Sequence, residues 1–185
     1  MRVLLRQWRD DDREPYAAIN ADPEVMRHLG GLRSRAESDG FIDWASALIA
    51  DRGWGLWAVE VIGESPFVGV VGLNETRQPD NGVEVSWKLA REHWGHGFAS
   101  EAAREAVRFG FEQLDLDEIV SMTVPANARS RRVMERLGMT HDPNDDFDRL
   151  EMHAELTRHV LYRLRRKSSP RCTPPGMTRQ LPHLL

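Results

Sequence analysis

The stretch Glu92-His93-Trp94-Gly95-His96-Gly97-Phe98-Ala99-Ser100-Glu101-Ala102 constrains this chain more than any other. A β-type run, Val83 to Leu89, comes just before it. After it, Phe98 to Leu114 contains no proline and one glycine, Gly110. Strand, glycine loop, helix is an order that builds an anion site. Gly95 and Gly97 have no Cβ to block a phosphate or to forbid positive φ. The loop N–H groups and the unpaired N–H groups of the first helical turn point at one spot, where the helix dipole also favours negative charge. The dipole is worth only ~0.3–1 kcal/mol per charge at exposed sites, so several N–H donors on one pyrophosphate must supply most of the grip. Alone, Gly-x-Gly fits a plain turn equally well.

The following helix suits the role. Phe98, Ala102, Ala106 and Gly110, with Ala99, Ala103, Val107 and Phe111 beside them, make a wide apolar face of small residues that can lie close to a sheet. Glu101, Arg104, Glu105, Arg108 and Glu112 fall opposite, where Arg108 and Glu112 can pair at i,i+4.

A second stretch narrows the reading. Glu118 to Val124 has the pattern of a strand and leads into Asn127-Ala-Arg-Ser-Arg-Arg-Val-Met-Glu-Arg-Leu-Gly-Met139. The pair "WGHGFASEA" and "NARSRRVMERLGM" resembles the GNAT N-acetyltransferase family, in particular the RimJ/RimL-like branch that includes the ribosomal-protein N-terminal acetyltransferases. "LRQWRDDD", "ADPEVMRHL", "FVGVVGL" and "RHVLYRL" share the resemblance, which covers residues 2 to 166. The family often carries Gln or Arg three residues before the first glycine; Glu92 stands there, and no phosphate role is carried onto it.

The resemblance implies an α/β (α+β) fold. Its centre is a mixed, mostly antiparallel sheet of about six or seven strands, splayed at the acetyl-CoA site and flanked by helices on both faces. It implies acetyl-CoA as co-substrate, with coenzyme A lying along Trp87 and Leu89, over Trp94, Gly95, His96, Gly97, Phe98, Ala99 and Ser100, and against Asn127, Ser130 and Arg132. Glu84 matches a position usually acidic in this branch, beside the pantetheine, and is the candidate base. Ser130 matches a serine near the sulfur, the candidate acid. Splaying after Leu89 would let a backbone N–H reach the thioester oxygen.

Each role has a plainer alternative. Glu84 could be a strand carboxylate facing solvent, and an ordinary Glu pKa of about 4.3 needs burial or a water relay to serve as a base. Asn127 or Ser130 could simply cap a helix over Ser130–Leu137 that Gly138 ends. Arg131 and Arg132 could meet phosphate or solvent. Trp54, Trp57 and Trp87 could line a pocket or pack in the core.

The rest of the chain frames this site. Residues 2–8 predict a first strand. Asp10-Asp11-Asp12 predicts a helix start running to about Ile19. Asp22 with Pro23 predicts a short helix through Val25, Met26 and Leu29. Residues 35–50 predict a longer helix burying Phe41, Trp44, Ala45 and Leu48. Residues 55–61 and 67–73 predict a hairpin, and the turn at 78–82 leads into the strand at 83–89. Residues 140–149 read as an acidic loop and 158–164 as a last strand. The expected organisation is an acetyltransferase domain over 1–166 and a disordered, proline-rich basic tail over 167–185.

The net charge of −4 argues against nucleic acid as the main partner. One cysteine, Cys172, excludes an internal disulfide and suits a reducing cytoplasm; its place in the tail argues against covalent acetyl-cysteine chemistry. There is no signal-peptide pattern and no 18-residue apolar run, so no membrane role is expected. His93 and His96 have no further ligand at metal spacing, so no metal is expected. Oligomeric state stays open, a homodimer included. Two other function classes remain: a degenerate acyl-CoA-binding or adaptor module, which would keep the glycine loop, and a dinucleotide enzyme, since Gly95–Ser100 nearly matches G-x-G-x-x-G. The latter is disfavoured because the loop follows a meander instead of opening a βαβ unit.

Acid–base arithmetic leans toward one acceptor class. An α-amine with pKa about 7.8 is roughly one-eighth neutral at pH 7, a lysine near 10.4 only about 0.04%. A chain with a single base candidate suits the former, whether peptide N-terminus or small-molecule amine.

Overall fold

The computed structural model describes residues 2–76, 82–149 and 156–166. β1 (Val3–Arg6) passes through a 3-10 turn at Asp10–Asp12 into α1 (Arg13–Ala21), α2 (Pro23–Met26) and α3 (Arg35–Arg52). Then come β2 (Leu56–Val61), β3 (Ser65–Thr76), β4 (Gly82–Leu89), α4 (Phe98–Glu112), β5 (Glu118–Thr123) and α5 (Ala128–Arg136). β6 (Thr140–His141), β7 (Phe147–Asp148) and β8 (Arg158–Arg165) complete the described elements. The sheet runs β1-β2-β3-β4-β5-β8-β6, with β7 also on β8, and β4–β5 is its parallel pair.

Helices cover both faces. On one, α4 lays Phe98, Ala102, Ala103, Ala106 and Val107 over Val59, Val71, Leu73 and Val85, and Met134 of α5 joins the same core. On the other, Trp8, Tyr16, Ile19, Ile42 and Ala45 pack over Ala58, Phe67 and Val70. β3 is therefore buried on both faces, which is why its sequence is a continuous apolar run without alternation. Gly69 sits in β3 because a Cβ there would stand 2.3 Å from the Lys88 carbonyl oxygen on β4.

Several expectations change in detail. Asp12 does more than charge a helix start. It is buried and takes both guanidinium nitrogens of Arg6, at 2.7 and 2.8 Å, while Arg6 Nε reaches Glu60 at 2.9 Å. Asp22 caps α2 as expected, accepting from Glu24 N–H. In α3, Trp44 is 44% exposed and Leu48 half-buried; Ser38, Ile42 and Ala45 form the buried stripe instead. The acidic stretch after Met139 is more structured than a loop. β6 and β7 add to β8, His141 stacks on Tyr162 at 5.0 Å, and Asp146 bonds His141 at 2.8 Å. The sheet thus reaches eight strands. The turn expected at 78–82 lies almost wholly, and the tail at 167–185 with Cys172 entirely, outside the described residues. Among those described, no helix is long and apolar enough to cross a membrane.

Candidate active site

The parallel pairing of β4 with β5 rests on one residue pair, Glu84 with Val120. Beyond it the strands part, five residues earlier than the family resemblance implied, and the gap opens into a cleft of ≈690 Å³. That size is ordinary for a cofactor site. Ala90 N–H bonds the Val68 carbonyl at 3.0 Å, which fixes the alternation of the β3–β4 ladder. Leu89, opposite Gly69, is consequently in a wide pair, and its N–H points away from β3 toward the gap. Its carbonyl is taken by Trp94 Nε1 at 2.9 Å.

Gly95 and Gly97 have φ of +82° and +85°, and Gly97 is the N-cap of α4. A Cβ on Gly95 would meet nothing within 4 Å, and one on Gly97 only Arg2 Nη2 at 3.6 Å, so the space before the loop is open. Glu101 N–H returns to the Gly97 carbonyl at 3.0 Å. The N–H groups of Phe98, Ala99 and Ser100 precede that bond and have no helical acceptor. This cradle suits a pyrophosphate. Arg2 braces it from behind. Its Nη2 donates to the His96 carbonyl at 3.1 Å, its Nε to Glu101 at 3.0 Å, and its guanidinium stacks on Phe98. The Arg2 backbone N–H and side chain hold the Glu101 carboxyl below its usual range, so this first-turn acid carries its charge against Arg2.

Glu84 is half-buried at the point where the strands part. Burial pushes its carboxyl up to about 7; Arg149 and a bond from the Met122 backbone pull the other way and lose. The sequence could not show this environment. Asn127 is the N-cap of α5. Its Oδ1 accepts from Ser130 N–H at 3.2 Å and its Nδ2 donates to Thr123 Oγ1 at 3.0 Å, so the cap belongs to Asn127 and not to Ser130. The helix accordingly begins before Ser130. The Ser130 side chain is half-buried and faces the cleft.

Glu84, Trp87, Leu89, Trp94, Gly95, Gly97, Phe98, Ala99, Ser100, Asn127, Ser130 and Arg132 all line this one cleft. His96 does not; its ring stacks on Phe98 at 5.5 Å and it serves through its backbone. Glu92 is exposed and outside the cleft. Arg131 turns to Tyr162 and the Pro125 carbonyl, away from it. Trp57 is core, edge-on to Phe109, and Arg52 covers Trp54, so Trp87 is the one of these three tryptophans at the cleft.

Sequence reasoning missed other lining residues. Arg129 lies 4.4 Å above the Trp94 ring and, with Arg27 and Arg136, joins the expected Arg132, so that arginines outnumber the lining carboxylates Glu24 and Glu84 despite the acidic chain. Ser86 and Lys88 share the Glu84 face of β4, a period-2 signal that was available. Among the described residues no cluster of His, Cys, Asp or Glu could hold a metal ion.

Residues 2–140 match the family described as Acetyltransferase (GNAT) domain. The chain is 29% identical over 204 residues to the "FsC-acetyl coenzyme A-N(2)-transacetylase" of Aspergillus fumigatus, spanning 100% of this chain and 86% of that protein. A GNAT acetyltransferase structure from Bacillus anthracis superposes with a TM-score of 0.77 at 25% identity, covering 89% of this chain and 95% of that one. RimJ of Mycobacterium smegmatis, solved with CoA-disulfide, has a TM-score of 0.70 at 20% identity and shares the fold over 88% and 81% of the two chains. With strands that part at Glu84 and a glycine cradle opening α4, the chain belongs to the GNAT acetyltransferase family.

Proposed function

We propose that this protein moves an acetyl group from acetyl-CoA to a primary amine by direct attack within a ternary complex. The observation that carries the reading is Glu84: a carboxyl raised to about 7, where β4 and β5 part, lining the same cleft as the glycine cradle. A base poised near neutral pH suits removal of an ammonium proton. The Gly95–Ser100 backbone and the rim arginines hold the coenzyme phosphates. Glu84, directly or through water, accepts the proton that makes the amine nucleophilic. Leu89 N–H donates to the thioester oxygen as negative charge develops there. The Ser130 hydroxyl gives its proton to the departing thiolate and regains one from solvent. The N–C bond forms and the C–S bond breaks; the attacking nitrogen sheds its second proton to solvent as the intermediate collapses, so of the two protons it loses, one is matched by that taken up at sulfur and one leaves overall.

The pKa arithmetic favours an acceptor with a low-pKa amine, such as an α-amine. The names of the similar proteins support acetyl-CoA as donor and leave the acceptor open. Release of free thiol from acetyl-CoA across a panel of amines tests the proposal, with coenzyme A binding measured by calorimetry. Acceptor-dependent thiol release is expected. Tight binding without release for any amine would favour the non-catalytic acyl-CoA module. Stronger binding of NAD than of coenzyme A would favour the dinucleotide reading.

A further inference from the structure

One charged group in the cleft has no part in that mechanism. The side chains of Glu84, Ser86 and Lys88 alternate onto the face of β4 that carries α1, while Val85 and Leu89 pack beneath α4 on the other. Lys88 Nζ donates to Tyr16 Oη at 3.2 Å and to Asn20 Oδ1, and lies 4.6 Å from the centre of the Tyr16 ring. Every one of these partners is neutral. Among the described residues no carboxylate forms an ion pair with it. Two of its three N–H donors are used, and the third remains for the cleft that Lys88 lines.

Burial, with Arg33 adding to it, lowers this amine to about 8, so at pH 7 most of it still carries charge. A buried cation without a counter-charge is costly, and an anion that arrives beside it recovers that cost. Tyr16 and Asn20 meanwhile hold the ammonium in one place.

We propose that the Lys88 ammonium recognises a carboxylate on the acceptor, which makes this protein's substrates amines that carry a carboxylate several bonds away, and not polyamines. The proposal rests on the acetyl-transfer reading, with the acceptor amine directed at Glu84. Four residues of strand separate the two side chains, on the order of 13 Å between Cα atoms. A short peptide, whose low-pKa α-amine and terminal carboxylate stand several bonds apart, fits that span better than a simple α-amino acid; an ω-amino carboxylate of the same reach serves as its binding probe. A diamine would instead bring a second cation against Lys88.

Binding to the unreactive coenzyme A complex tests this without reliance on turnover. Calorimetry would compare 6-aminohexanoate, 6-aminohexanol and 1,6-diaminohexane, which share one chain and differ in terminal charge. We expect 6-aminohexanoate to bind roughly tenfold or more tightly than the diamine, the range of one charge-assisted hydrogen bond. Lys88→Met should abolish the difference and Lys88→Glu invert it. Unchanged coenzyme A affinity in both variants shows that the fold is kept. Equal affinities in the parent protein, a preference for the diamine, or a carboxylate preference that survives Lys88→Met would each overturn the proposal. Coenzyme A binding is read first, and its failure sinks the acetyl-transfer reading separately. The three ligands titrated into the free protein would then still decide the role of Lys88.

Discussion

At the scale of single residues, the proposed mechanism divides the proton work between Glu84 and Ser130. The Glu84 carboxyl is raised, so between the ordinary carboxylate range and about pH 7 the folded chain holds a proton that the unfolded chain has released. Its contribution to stability is full below the ordinary range and is lost as pH rises through 7. Glu84→Gln should therefore gain stability relative to the parent between pH 5 and pH 8 in denaturant unfolding. An identical difference at both pH values would show the carboxylate to be solvated. In rate, the parent should slow as pH falls below 7, and Glu84→Gln should cost ~10²-fold at neutral pH. That defect should shrink as pH rises through the acceptor's own pKa. Ser130→Ala should slow turnover at every pH with coenzyme A affinity kept, since Asn127 supplies the α5 cap without the hydroxyl; loss of binding and turnover together would make Ser130 a coenzyme contact only. Glu84 stood out in the sequence only through its match to an acidic position of the resembling branch. Its environment was not legible there, because Met122 and Arg149 reach it from elements distant in the chain.

At the scale of elements, the loop and α4 were the most legible part. Glycines, a proline-free amphipathic run and a preceding strand are all consecutive, so the cradle is written in one stretch. Gly97→Val should abolish coenzyme A binding, because the left-handed φ is one a β-branched residue resists and the added side chain would head toward the bracing Arg2, so that the loop must shift. The strain is about 1–2 kcal/mol, which a thermal melt should register as a modest shift with the transition still cooperative; unchanged affinity would remove the phosphates from this loop. The Arg2 brace could not be read, because it joins β1 to a loop more than ninety residues away. The strands at 140–148 were missed for a related reason. Two-residue strands have no periodicity of their own and exist because β8 offers them partners. Trp44 was misplaced because α3 buries Ile42 and Ala45, a narrower stripe than its apolar content suggests.

At the scale of the whole molecule, fold class and cleft position followed from the family resemblance that the motifs carry, while the arginine-rich rim and Lys88 emerge only when α1, α2, β4 and α5 converge. The parting of β4 from β5 also gives the sheet a mechanical character. β1–β4 form one continuous hydrogen-bonded leaf and β5–β8 another, joined along the ladder at Glu84 and Val120 and bridged by the packing of α4. Such a seam is where partial opening should be cheapest. Amide exchange should then be uneven along a single strand: Lys88 N–H, paired to β3, should exchange slowly, and Leu89 N–H, facing the gap, quickly. Coenzyme A should slow Leu89 and its neighbours on both leaves together, acting as a rivet across the seam. Protection confined to one leaf would mean that the two halves move as one body without it. If the rivet holds, donor binding and rigidity are the same event, and an acceptor arriving first would meet a sheet whose two leaves have not yet been pinned together.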